Sequence, residues 1–74
     1  MNSKELVSIT GAINVQIAEL DKIARKQFKT VCKALDKGTA EEIEGAIYEH
    51  DKTECKIWGL REALWIILHS EEEE

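Results

Sequence analysis

The chain has 74 residues, of which 43% are hydrophobic, 34% charged and 5% aromatic, with four Gly and no Pro. That is room for one domain, and the balance excludes disordered and all-β classes in favour of soluble helices. A formal net charge of −5 excludes a protein that coats nucleic acid or anionic membrane by bulk charge, so bulk nucleic acid is not an expected partner.

The start, Met1-Asn2-Ser3-Lys4-Glu5-Leu6, has no basic segment leading into an apolar run. The longest apolar run falls far short of a membrane span, and the expectation is a cytoplasmic protein that makes no membrane contact. Apolar residues then recur at Leu6, Ile9, Ile13, Ile17, Leu20, Ala24, Phe28, Val31 and Leu35, with spacings of three, four and four. This eleven-residue repeat has a period of about 3.67 per turn and predicts one long amphipathic helix over residues 3–37, straight or with slight right-handed coiling. Ser3 is the expected N-cap, with Glu5 in the first turn. Gly11 costs about 1 kcal/mol relative to Ala inside the pattern, and Gly38 is the expected left-handed residue that ends the helix.

Thr39-Ala40-Glu41-Glu42 reads as a capping box, so a second helix begins at once and runs over residues 40–69. A connection this short at residue 38 makes the helices antiparallel neighbours. The predicted fold class is therefore all-α, a helical hairpin in one domain of residues 1–74. The second helix carries Ile43, Ile47, Ile57, Leu60, Leu64 and Ile67 on one face, interrupted by His50 and Thr53. From Ile57 onward its apolar arc widens to include Trp58, Trp65 and Ile66. The end, Ser70 to Glu74, sets like charges beside the negative end of the helix dipole and is expected to be a frayed acidic tail.

Cys32 and Cys55 are the only cysteines. In the hairpin register Cys55 lies roughly twelve residues deeper, about 18 Å away at 1.5 Å per residue, so an intrachain disulfide is excluded and both are expected to be small buried side chains. His50, with Glu54 one turn on, offers two ligand atoms, but Ile47 occupies the place where a bundle metal site would need Glu. No metal and no cofactor is expected. No nucleophile with its base is recognisable, and a narrow hairpin has no enclosed cleft, so the expectation is a protein that is not an enzyme.

Two surfaces remain as candidate sites. The first is apolar: Ala63 to Leu68 has more apolar surface than one partner helix can cover, at the end where both termini meet. Ile9, Ile13, Trp58, Leu64, Trp65 and Leu68 are the expected oligomer interface, with the tip half polar and more exposed. A homo-oligomer follows, most simply a dimer forming a four-helix bundle, or else a larger helical oligomer. The second is a basic ridge of Lys22, Arg25, Lys26, Lys29, Lys33 and Lys37 on the first helix, matched by an acidic first half of the second helix that favours antiparallel pairing. The functional expectation is a small interaction or regulatory module with a protein partner, an adaptor or inhibitor of the kind phages and mobile elements encode. The alternative is an oligomer that sequesters a nucleotide or other phosphate ligand on the ridge, and a third reading is a nucleic-acid-associated regulator.

Overall fold

The computed structural model describes residues 2–72. Helix α1 spans Ser3–Lys37 and helix α2 spans Ala40–Glu72, and they pack against each other as an all-α hairpin. The longest dimension, 53 Å, is the length of one helix of 35 residues at about 1.5 Å per residue; the shortest is 11 Å, so the molecule is a slab one helix thick. Among the described residues no helix is long and apolar enough to cross a membrane.

The ends of the helices are fixed by local chemistry. Asn2, not Ser3, caps α1: its side-chain oxygen accepts from the Glu5 N–H at 2.8 Å, which leaves Ser3 as the first helical residue. Asn is at least as good a cap as Ser, and the helix keeps the expected span of residues 3–37. At the other end Gly38 donates its N–H to the Ala34 carbonyl at 2.7 Å, but in an extended conformation, φ −92° and ψ 169°, instead of the expected left-handed one. The reason for glycine here is proximity. A Cβ at this position would stand 2.7 Å from the Ala34 carbonyl oxygen and 3.0 Å from its Cα. Thr39 then caps α2, its hydroxyl accepting from the Glu42 N–H at 3.2 Å while its carbonyl accepts from Ile43. The reversal thus takes two residues.

Helix α2 runs on to Glu72, past the expected stop at residue 69, so Ser70 to Glu72 are helical and only residues 73 and 74 of the expected tail lie outside the described residues. One contact in the last turns is the His69 Nδ1–H donating to the Trp65 carbonyl at 2.9 Å.

Burial follows a seven-residue period, not the eleven-residue one. In α1 the covered seam positions are Leu6, Thr10, Ile13, Ile17, Leu20, Ala24, Gln27, Val31 and Ala34; in α2 they are Ile43, Ala46, His50, Thr53, Ile57, Leu60, Leu64 and Ile67, with Asp21, Glu54, Ala63 and His69 partly covered off that pattern. Two helices that stay in contact over their whole length must repeat every 3.5 residues, since any longer period walks the stripe off the seam. Ile9, Phe28 and Leu35, which belong to the longer repeat, are accordingly exposed. The densest packing is in the middle, where Ile17, Ala24 and Ile57 are buried with Ile13, Leu20 and Leu60 against them. Ile57 is the anchor at 2% exposure.

Two glycine substitutions separate turn geometry from helix propensity. Gly38→Ala should lower stability by about 1–2 kcal/mol through the clash with Ala34. Gly45→Ala, inside α2 with nothing within 4 Å of the new Cβ, should raise it by about 0.5–1 kcal/mol. Urea denaturation of both variants checks the pair of signs.

Candidate functional site

A seam of this kind covers one stripe of each helix and leaves the large apolar residues beside it in the open. On one side α1 carries Val7, Asp21, Phe28 and Leu35, at spacings that are multiples of seven, so they form a single row along the helix. On the same side α2 carries Ile47, Glu54, Arg61 and Leu68, also seven apart, with Trp58 and Trp65 in the adjoining row. The sharing of a side is visible where the helices meet. Phe28 lies 6.0 Å from the His50 ring, and Asp21, Arg25, Phe28, Lys29, His50 and Glu54 line one groove. Further along, Trp58, Arg61, Glu62 and Trp65 line a shallow depression of their own.

Every large apolar residue in this set is exposed, the tryptophans most tellingly: Trp58 is 66% exposed and Trp65 60%. The first helix therefore does not cover the indoles. Trp65 instead stacks on His69, with ring centroids 4.0 Å apart and planes 22° from parallel. The pair makes a flat, largely solvent-facing aromatic platform.

The six residues expected to form an interface do not converge on one patch. Ile13 and Leu64 are half-buried in the seam of the hairpin itself, Ile9 lies on the opposite flank, and only Trp58, Trp65 and Leu68 belong to the exposed apolar side. The tip half is also less polar than expected, since Phe28, Leu35, Ile47 and Tyr48 are exposed there. Phe28 and Leu35 escaped notice because the eleven-residue repeat assigned them to the core. The signal that finds them is their spacing of seven from each other and, in multiples of seven, from Val7.

The basic ridge is real but divides. Lys22, Arg25, Lys26, Lys29 and Lys33 are all exposed. Arg25 and Lys29 turn toward the groove that also holds Asp21 and Glu54, while Lys33 and Lys37 line a groove on the other side with Glu42 and Glu49. Each groove mixes cations with carboxylates, so neither presents the converging positive charge a phosphate needs. Among the described residues the close side-chain charge contacts are within α2: Lys52 pairs with Glu49 at 3.2 Å, and the His50 Nε2 stands 3.6 Å from the Glu54 carboxylate. Among the described residues the opposite charges of the two helices meet as lining of shared grooves, with no direct pair between the helices.

Cys32 and Cys55 are free and exposed, against the expectation of burial, because both fall on the outer faces of their helices. No group of three His, Cys, Asp or Glu side chains among the described residues is placed to hold a metal ion. The seam contains one polar stretch: Gln27 faces His50 in the register set by the turn, and the Thr53 hydroxyl donates to the Glu49 carbonyl at 3.2 Å. The Gln27 side-chain oxygen is buried there with no hydrogen-bond partner. Comparison with known proteins returns no match to this chain, whether to family models, curated proteins or solved structures.

An unpaired buried acceptor costs about 1–3 kcal/mol. Gln27→Leu should accordingly stabilise the hairpin by about 1 kcal/mol or more, seen as a higher urea midpoint with an unchanged slope. An unchanged or lower midpoint would show that the amide is satisfied and that the layer is not under strain.

Proposed function

We propose that the chain is a non-enzymatic interaction module that works as a homodimer, two hairpins combining through the side that carries Trp58 and Trp65 into a four-helix bundle. The observation that carries this is surface in excess of what a single small protein keeps. A compact monomer of this mass has about 4,600 Å² of accessible surface by the usual size scaling, whereas this chain has 5860 Å². The surplus exceeds the roughly 800 Å² that each partner buries in a standard interface. The radius of gyration points the same way, 16.7 Å against about 11 Å for a compact domain of this length.

The composition of the exposed side supports association over ligand binding. Tryptophan is the residue most enriched among interface hot spots, and its apolar body with one N–H donor suits a surface that is wet in one state and dry in another. The mixed charge of the grooves weighs against the phosphate-binding and nucleic-acid readings. Two free, exposed cysteines suit a reducing compartment such as the cytoplasm. In the dimer the outer faces, including Tyr48 and the lysines of α1, stay open for a protein partner.

Sedimentation equilibrium tests the reading: the wild-type chain should be a dimer at micromolar concentration. Trp65→Asp should weaken association by about 2 kcal/mol or more, with helicity by circular dichroism retained once the two species are compared at dimer-forming concentration. A wild-type monomer at micromolar concentration would refute the proposal.

A further inference from the structure

We infer that the two copies pair antiparallel, with their tips at opposite ends, α2 lying along α2 of the second copy about a two-fold axis near Trp58; this rests on the dimer proposed above and specifies its geometry. The row Ile47, Glu54, Arg61, Leu68 is self-complementary. Read from Ile47 it runs apolar, acid, base, apolar; read from Leu68 it runs apolar, base, acid, apolar. A two-fold interface presents one surface to its own reversed copy, so self-complementarity under reversal is what it requires. Laid antiparallel, Ile47 meets Leu68 of the second copy and Glu54 meets its Arg61, each contact occurring twice.

The adjoining elements agree. The axis falls between Glu54 and Arg61, which brings Trp58 against its own counterpart and Trp65 beside Asp51 of the second copy, a carboxylate acceptor for the indole N–H. In α1 the same axis sets Val7 between Phe28 and Leu35 of the second copy. Its one like-charge meeting is Asp21 with itself, one turn from Arg25.

The other two-fold face-to-face arrangement puts the tips together and lays α1 over α2 of the second copy at the same level. Apolar contacts survive there, but charge does not. Asp21 and Glu54 line one groove with Arg25 and Lys29, so that groove would meet its own mixture of charges in the second copy, the Glu54–Arg61 pairing would be lost, and Arg61 would face no acid. Charge complementarity selects the antiparallel pairing.

The two arrangements predict different outcomes for one charge swap. In the antiparallel dimer Glu54→Arg sets arginine against arginine and should raise the dissociation constant by about tenfold or more, as should Arg61→Glu, while the double variant Glu54→Arg/Arg61→Glu should restore wild-type association. Sedimentation measures all four proteins, with circular dichroism to confirm helicity. In the tips-together dimer Glu54 and Arg61 do not meet, so failure of the double variant to recover would overturn the inference, as would tightening by Glu54→Arg alone. Spin labels on Lys37→Cys, in a chain also carrying Cys32→Ser and Cys55→Ser, give a second reading. The expected separation is close to the molecule's own 53 Å length. A separation well under half of that length overturns the antiparallel geometry and leaves the dimer standing, whereas a wild-type monomer overturns both.

Discussion

Two helices share one seam, and a seam in continuous contact repeats every seven residues and covers about two positions in each repeat. Everything else about this hairpin follows from how the chain spends those few positions. In the middle they hold Ile13, Ile17, Leu20, Ile57 and Leu60, and a fully buried side chain such as Ile57 contributes about 1.5–3 kcal/mol. Toward the tip Val31 and Ile43 are joined by Gln27, Ala34, Ala46, His50 and Thr53. Small and polar side chains there leave the hairpin weakly held, and the large apolar residues at those levels, Phe28, Leu35 and Ile47, stand one position off the seam. The same pattern that starves the inner core supplies the outer face.

The polar stretch has a structural consequence of its own. Antiparallel heptad helices can slide by one repeat without changing which side is apolar, so some feature must fix the register. Here two do. The Gly38-Thr39 reversal leaves no slack, because the Gly38 N–H is bonded to Ala34 and the Thr39 hydroxyl to the Glu42 N–H. The layer of Gln27, His50 and Thr53 then penalises a slip, since displacement would oppose these groups to isoleucine and leucine. The stability forgone at the unpaired Gln27 oxygen is the cost of that selection.

The hairpin was legible from the sequence because its signals are local. Glycine, then Thr-x-x-Glu, between two long amphipathic stretches fixes both the reversal and the antiparallel order. The period of the seam was harder to read. Leu6, Ile13, Ile17, Leu20, Ala24 and Val31 fit both repeats, and the choice between them turns on Thr10, Gln27 and Ala34 set against Ile9, Phe28 and Leu35. Hydrophobicity favours the second trio, while contact along the whole length selects the first, and that is a property of the pair of helices that a single helix does not reveal. The same cause misplaced the apolar surface. Trp58, Trp65 and Leu68 were visible as an excess at one end, but the row running to the tip became visible only with the seven-residue register.

An acidic chain that meets its own copy invites the objection that net charge −5 repels itself. The distribution answers it. On the tryptophan-bearing side Arg25, Lys29 and Arg61 stand among Asp21, Glu44, Asp51, Glu54 and Glu62, so that side mixes both signs. Further negative charge lies off that side, at Glu42 and Glu49 in the opposite groove. In the proposed four-helix bundle such outward-facing charges would lie beyond the roughly 8 Å over which salt at physiological strength lets them act. Short-range pairing of Glu54 with Arg61 would then set how the two proposed copies are oriented, while the outward-facing charge would stay solvated.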